Sequence, residues 1–344
     1  MTANPKRRFA LVGTESLRGK ELKSLLDRTK FSLRSMDFFD ADVAEDFSKL
    51  TEFRGEPKVI HHPSGKLLEG LDIVFLASDP ASNREFGLLA AKLDYRAIDL
   101  VETFNADPKV PLVVAGINDG AAAVKKASLV AIPNPAAVFL SRCLHPLRRD
   151  FGIAKAVAFV LRPASAFEDE GIRELVDQSC AILSGSSVSR KVFRNQVAFN
   201  VLSRTEKPGK DGFSAPEKQL AAELRRVLGA PAFPFTLSIV QAPVFHTYSL
   251  MVYAELGKGA DLGSVEALFK ADPAFRLAGL EAGGVAAASS VAGKDEIVLG
   301  EIKAEPTIPG GFWFWVVADN LTAGSALNAL AVAKALAPTS RADA

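Results

Sequence analysis

Short apolar runs separated by glycine turns and helically spaced leucines organise the first third of the chain. Phe9 to Val12 is a continuous apolar run of the kind a buried parallel strand needs. Gly13-Thr14-Glu15-Ser16-Leu17-Arg18-Gly19 then turns the chain, and from Gly19 the spacing of Leu22, Leu25 and Leu26 predicts a helix. A second strand is expected over Ser35 to Phe39, ending on Asp40, with a polar stretch after it. Leu71 to Ala77 is the strongest strand signal of this half. A helix over Ser82 to Lys92 follows, then strands at Ala97 to Leu100 and Pro111 to Val114. Strands alternating with helices at this spacing imply βαβ crossovers and a Rossmann-like, doubly wound parallel sheet in an α/β fold.

The pattern changes near residue 135. Ala154 to Leu161, Leu237 to Gln241, Tyr248 to Glu255 and Phe312 to Val317 read as strands, several of them alternating. The polar stretches Glu168 to Ser184 and Glu217 to Leu228 are helix-prone. Long strands with few helices between them predict an α+β domain with a mixed sheet and helices on one face. The alanine- and leucine-rich tail from Gly324 to Leu336 reads as a helix, with Pro338 as its stop signal.

A length of 344 residues exceeds one ordinary core, so two domains are expected. The net charge of +1, from 41 basic against 40 acidic residues, argues against a nucleic-acid partner. No apolar run reaches the ~18 residues of a membrane span. The start, MTANPKRRFALVG, reads as a ragged terminus leading into a strand rather than a signal peptide. Cys143 and Cys180 form no motif and fit a reducing cytoplasm, and four histidines show no metal-ligand spacing.

A strand, a glycine turn and a helix N-terminus make an anion site. Here Gly13 and Gly19 are the outer glycines of a Gly-x-x-Gly-x-x-Gly pattern whose middle position is Ser16, and Glu15 sets a carboxylate in a loop meant for a pyrophosphate. Asp40 stands where a carboxylate bonds a ribose 2′-hydroxyl and repels a 2′-phosphate, so NAD is favoured over NADP if either binds. Equally, strand–turn–helix is how such a fold begins, and Asp40 reads as a solvated turn residue.

Several stretches together resemble the aspartate-semialdehyde dehydrogenase family. They are LVGTESLRGKEL, LDIVFLASDPASNREFGLLAAK, AIDLVETFNADPKVPLVVAGIN, AIPNPAAVFLSRCLHPLRRDFGI, NQVAFNVLS, QAPVFHTYSLMV and WVVADNLTAGSALNAL, in the family's order and spacing. The resemblance is closer to dehydrogenase-like paralogues than to the biosynthetic enzyme. It implies a dinucleotide-binding-type domain over 1–134 plus a C-terminal helix at about 322–344, a dimerisation/substrate domain over 135–321, and a homodimer.

The family's chemistry, as the resemblance implies it, runs through a cysteine thioester, NADPH hydride and a phosphate leaving group. Its nucleophile follows an Asn-Pro-Asn turn at a helix N-terminus, which stabilises a thiolate. That position is Pro135 here, and Cys143, about two helical turns on, reads as a buried structural residue. The acid/base histidine of a Pro-Val-Phe-Asn-Gly-His stretch corresponds to Tyr248, with His246 two steps away on what would be the same strand face. The substrate-clamping arginine corresponds to Gln241, the glutamine that positions the thioester carbonyl to Arg162, and the phosphate-binding arginine to Asn105. Gly116 stands for a glutamate, and Asp79-Pro80 for small glycines. Asn118, the Asn195 to Asn200 phrase, Asn320 and Gly324 match the family, the last two near the nicotinamide end of its cofactor cleft. The Asn195 to Asn200 phrase is expected to shape an interface through buried, hydrogen-bonded amides.

The expectation is thus a catalytically inactive paralogue, with Gly13, Thr14, Gly19, Asp40, Ser78, Asn320 and Gly324 as remnant cofactor contacts and no metal. Two roles are open to such a paralogue: a binding or regulatory partner of another protein, or a stable remnant with a vestigial cleft. One alternative is an NAD(P)-dependent oxidoreductase acting on an aldehyde or oxo group, with Tyr248 or His246 as proton donor. The other is a nucleotide-binding regulatory protein without turnover.

Overall fold

The computed structural model describes residues 7–336 apart from 30, 32, 45–48, 230–232, 258 and 279–284. The basic N-terminal stretch before Arg7 and the Pro338 stop signal lie outside the described residues. The chain divides into two compact units, one of Met1–Asn134 with Ser325–Ala344, the other of Pro135–Gly324.

In the first unit the elements run β1 (Arg7–Val12), α1 (Leu17–Arg28), β2 (Leu33–Phe39), β3 (Lys49–Phe53), β4 (Glu56–His61), α2 (Gly65–Leu68), β5 (Ile73–Leu76), α3 (Pro80–Leu93), β6 (Arg96–Asp99), α4 (Ala122–Lys126) and β7 (Leu129–Ala131). They form a seven-stranded sheet in the order β3-β4-β2-β1-β5-β6-β7. The central strands are parallel, as continuous apolar runs demand, and β1 and β5 are almost wholly buried. One core cluster joins Val12, Phe39, Leu76 and Phe86 with Leu68 of α2.

Two features depart from the sequence reading. The polar stretch after Asp40 contains the antiparallel hairpin β3–β4, turned by Arg54 at φ 55° and Gly55 at φ 75°. Two consecutive left-handed residues make the turn that suits twisted strands, and a charged, proline-bearing edge hides the signal. The expected strand at Pro111 to Val114 is instead an extended segment with one isolated bridge, Leu112 to Ala131. Side chains satisfy much of its backbone: Asn118 accepts from Val114 N–H and donates to the Leu112 carbonyl. Asn328 does the same for Ala115 N–H and the Val113 carbonyl.

The second unit holds α5 (Pro135–Asp150), β8 (Ile153–Arg162), α6 (Glu168–Leu183), α7 (Ala215–Leu228), β9 (Phe235–Gln241), β10 (Tyr248–Leu256), α8 (Leu262–Lys270), β11 (Phe275–Ala278), α9 (Ala288–Val291), β12 (Ile297–Ala304) and β13 (Gly311–Ala318). Its six-stranded mixed sheet has the order β11-β12-β13-β10-β8-β9. One face is sealed: Ala156, Ala158, Val160, Leu250, Val252 and Phe314 are buried. On the other, Val157, Met251 and Trp313 are half-buried and Phe159 is 46% exposed. The sequence reading missed β11 and β12. A π-helical turn at Thr322–Ala326 leads into α10 (Leu327–Leu336), whose Asn328 bonds belong to the first unit.

Candidate functional sites in the two units

In the first unit, the turn after β1 is held by the chain itself. A Cβ at Gly13, which sits at φ +92°, would lie 2.3 Å from Ser78 N, and one at Gly19 would lie 1.9 Å from the Gly13 carbonyl oxygen. Both glycines are therefore demanded by packing within the unit, whatever binds there. Gly13 and Thr14 N–H donate to the Phe39 carbonyl, Ser16 N–H to the Gly13 carbonyl, Glu15 N–H to Asp40 Oδ1 and Gly19 N–H to Ser16 Oγ. Thr14 is buried, and its hydroxyl also donates to the Phe39 carbonyl, at 3.1 Å.

Five N–H groups of this turn, those of Gly13, Thr14, Glu15, Ser16 and Gly19, are thus already engaged within the unit. Arg18, the cation nearest the turn in sequence, is buried and bonded to the Leu100 carbonyl and, at 3.1 Å, to Glu102, which also accepts from Asn134. Glu15 proves a lesser obstacle than expected, because its carboxylate turns outward to within 3.7 Å of Lys20 Nζ. Asp79 and Pro80 start α3: the Asp79 side chain caps Ala81 and Ser82 N–H, and proline occupies the first turn. Ser78 donates its N–H to Asn83 and its hydroxyl to Asp79. Pro80 offers no N–H to an anion at this turn.

Asp40 is different. It is a buried residue, 5% exposed, and not the solvated turn residue that was one sequence reading. Its Oδ1 accepts from Glu15 N–H, but its buried Oδ2 has no hydrogen-bond partner among the described residues. Burial pushes its carboxyl up to about 6, against the pull of the Glu15 N–H, and the Asp42 and Glu15 carboxylates add to the rise. Asn105 is buried and donates to the Ile132 carbonyl, and Gly116, at φ +79°, forms a turn with Asp119.

In the second unit, Pro135 is the first residue of α5 and is buried. Gly324 packs on it so closely that a Cβ there would lie 2.7 Å from Pro135 Cβ and 2.8 Å from Phe139 Cζ. Cys143 lies further along α5, fully buried, where burial drives its thiol far above the usual range and keeps it inert. Cys180 is exposed.

Arg162 ends β8 beside Gln241 at the end of β9, the two level in the sheet. The buried guanidinium donates to Gln241 Oε1 at 3.1 Å, to Glu206 at 2.9 Å and to Thr205 Oγ1 at 2.5 Å, and stacks 4.5 Å from the Phe167 ring centroid. Gln241 returns its amide N–H to the Arg162 and Ala242 carbonyls. The two positions are far apart in sequence, and the fold joins them in one network. Glu206, which balances the charge, was missed because nothing local marks a partner 44 residues away.

Tyr248 is buried at the start of β10. His246 precedes the strand, and Thr247 between them has φ +73°, so the alternation that would have put His246 and Tyr248 on one face does not apply. The His246 Nδ1 and Thr247 Oγ1 atoms are buried without partners among the described residues. Asn320 holds this bend, accepting Thr247 N–H at 3.0 Å and bonding Ser165 Oγ at 3.1 Å. Asp319 caps the following turn through Leu321 and Thr322 N–H. In the Asn195 to Asn200 phrase, the outer amides are exposed in the single chain. The buried amide is that of Gln178 on α6, which accepts Val197 and Ala198 N–H and donates to the Asn195 carbonyl.

Among the described residues there is no cluster of histidine, cysteine or acidic side chains able to hold a metal, and no helix long and apolar enough to cross a membrane.

Comparison with known proteins agrees with this frame. The family described as "Semialdehyde dehydrogenase, dimerisation domain" matches residues 144–323. An aspartate-semialdehyde dehydrogenase of Bacillus subtilis is 24% identical over 343 residues, spanning 95% of this chain and 96% of that protein. One from Shewanella violacea is 27% identical over 284 residues, spanning 79% and 84%. Among solved structures, aspartate semialdehyde dehydrogenase II complexed with ASA from Vibrio cholerae matches with a TM-score of 0.89 at 22% identity, covering 96% of this chain and 98% of that one. A probable aspartate-semialdehyde dehydrogenase from Pseudomonas aeruginosa gives 0.88 at 25% identity, with the same coverage.

Proposed function

The chain belongs to the semialdehyde dehydrogenase family, and on that premise we propose that it is a member that has kept the frame and lost the chemistry. In this reading Met1–Asn134 with the C-terminal helix is the cofactor-type domain and the remainder the dimerisation and substrate domain. The observation that carries the proposal is Pro135 at the head of α5, where the family resemblance puts the nucleophile: proline offers no atom that could form a thioester. The Arg162–Gln241–Glu206 network supports it. A guanidinium bonded on several sides to its own chain has little left with which to bind or orient a substrate carboxylate. Tyr248, at the base position, is 3% exposed. Purified protein is expected to show no phosphate-dependent oxidation of aspartate semialdehyde with NAD or NADP; turnover above a heat-killed control overturns the reading.

One observation favours a second reading, nucleotide binding without turnover. Asp40, whose Oδ2 has no partner among the described residues, follows the second strand, where a carboxylate bonds a ribose 2′-hydroxyl and repels a 2′-phosphate, favouring NAD over NADP. Calorimetric titration separates the two: heat absent or only millimolar affinity fits the first reading, whereas micromolar affinity for NAD establishes the second.

The homodimer implied by the resemblance is supported by the second face of the mixed sheet, where Phe159, Met251, Val157 and Trp313 form an apolar surface. Sedimentation is expected to give a dimer and Phe159→Glu a monomer; a monomeric wild type rules it out.

A further inference from the structure

The first unit has a second feature, on the outer strands of its sheet. Ala10 of β1 lies level with Asp37 of β2, and Arg8 sits two residues before Ala10. On the other side His61 of β4 lies level with Phe39, two residues after Asp37. A two-residue step keeps the same sheet face, so Arg8, Asp37 and His61 share one. It is the face on which Phe39 packs against Leu68 of α2. That helix is only four residues long. Beyond it lies a groove of about 470 Å³, with Phe39 and Val59 among its apolar lining and Leu67 beside them.

The charges in this groove are not matched. Asp37 is half-buried, and burial holds its carboxyl above the usual range although Arg8, His61 and Lys58 act in the opposite direction. Lys58 is drawn to Glu56 at 2.6 Å. Among the described residues, neither the Asp37 carboxylate nor the Arg8 guanidinium has a hydrogen bond or ion pair. They influence each other without closing a pair. A desolvated charge left so is costly unless something bonds it. A cationic donor against Asp37 and an anionic acceptor against Arg8 would complete both, and the apolar lining would receive whatever joins them.

We propose that this groove binds a free α-amino acid with an apolar side chain, its ammonium on Asp37, its carboxylate on Arg8 and its side chain over Phe39, Val59 and Leu67. The site lies within the first unit and does not depend on the loss of chemistry in the second. It therefore stands or falls separately from the proposed function.

The test is calorimetric titration of the full chain with L-leucine, L-methionine and L-valine, beside 4-methylpentanoate, which lacks the ammonium, and isoamylamine, which lacks the carboxylate. At least one amino acid is expected to bind about tenfold or more tightly than either half-molecule, as loss of one charge-assisted bond implies. Asp37→Asn and Arg8→Gln should each weaken it by a similar factor. Equal binding of 4-methylpentanoate, or no heat from any of the amino acids up to saturating concentration, overturns the proposal. Because the half-molecule comparison uses only the wild-type chain, it decides the matter even if a variant folds poorly.

Discussion

Asp40 in the first unit and Arg162 in the second are both buried charged side chains, yet their surroundings differ in a way that separates the two halves of the molecule. Arg162 has a carboxylate, an amide, a hydroxyl and an aromatic face arranged around it. Asp40 has one backbone donor and an oxygen with none among the described residues. A fully bonded buried charge is a closed device, whose removal costs stability and whose presence offers little to a ligand. A half-bonded one carries a desolvation cost that a ligand or a proton can relieve. The second unit thus holds its buried guanidinium in a self-contained network, while the first leaves one buried carboxylate oxygen without a partner among the described residues.

The largest effect that could break this contrast is at Gly19. If the loop is held by its own packing, Gly19→Ala should cost about 3 kcal/mol, because the new methyl meets a backbone carbonyl rather than a movable side chain. The loss should be the same in urea melts with and without NAD; a loss only in the presence of nucleotide would assign the glycine to binding. Next comes the balance of charge around Arg162. Glu206→Ala should destabilise by roughly 2–3 kcal/mol by leaving the guanidinium uncompensated. The double variant with Arg162→Gln should recover much of that, and simple additivity would mean the pair is not coupled.

Asp40 should behave in the opposite sense. A carboxyl raised in the folded state is bound to its proton more strongly there than in the unfolded chain. Its contribution to stability is therefore present at low pH and is lost as pH rises through the window from its ordinary value near 4 up to about 6. Asp40→Asn should raise stability at pH 7 by up to about 3 kcal/mol and change it little at pH 4. Thermal melts that show the gain at pH 4 and not at pH 7 would reverse the assignment. The smallest effect is expected at Thr247, a β-branched residue at φ +73° whose buried hydroxyl has no partner among the described residues. The family stretch it resembles has glycine at this step. Thr247→Gly should stabilise by about 1 kcal/mol, the relief of strain exceeding the added flexibility of the unfolded chain; destabilisation would mean the hydroxyl has a role.

Much of the frame was readable from the chain, for physical reasons. Phe9 to Val12 and Ile73 to Leu76 are buried on both faces, so their apolar runs are unbroken. What escaped was decided by tertiary context. The hairpin at Lys49 to His61 lies on an edge and carries charge and proline. The Pro111 to Val114 segment looks like a strand but takes many of its hydrogen bonds from Asn118 and Asn328, the second of them more than two hundred residues away. The departures from the family pattern at Pro135, Tyr248, Arg162 and Gln241 are read from the resemblance, residue by residue. That the last two bond each other, and that Glu206 neutralises the arginine, follows only from the register of β8 and β9 and the loop that crosses them.

The central claim, that this frame no longer performs the family's reaction, is tested most directly by turnover. Purified protein incubated with aspartate semialdehyde, phosphate and either NAD or NADP should give no reduced nucleotide above the heat-killed control. Pro135→Cys alone should not restore it, since Arg162, Gln241 and Tyr248 remain. Sustained, phosphate-dependent reduction of either nucleotide by the unmodified chain would contradict the account.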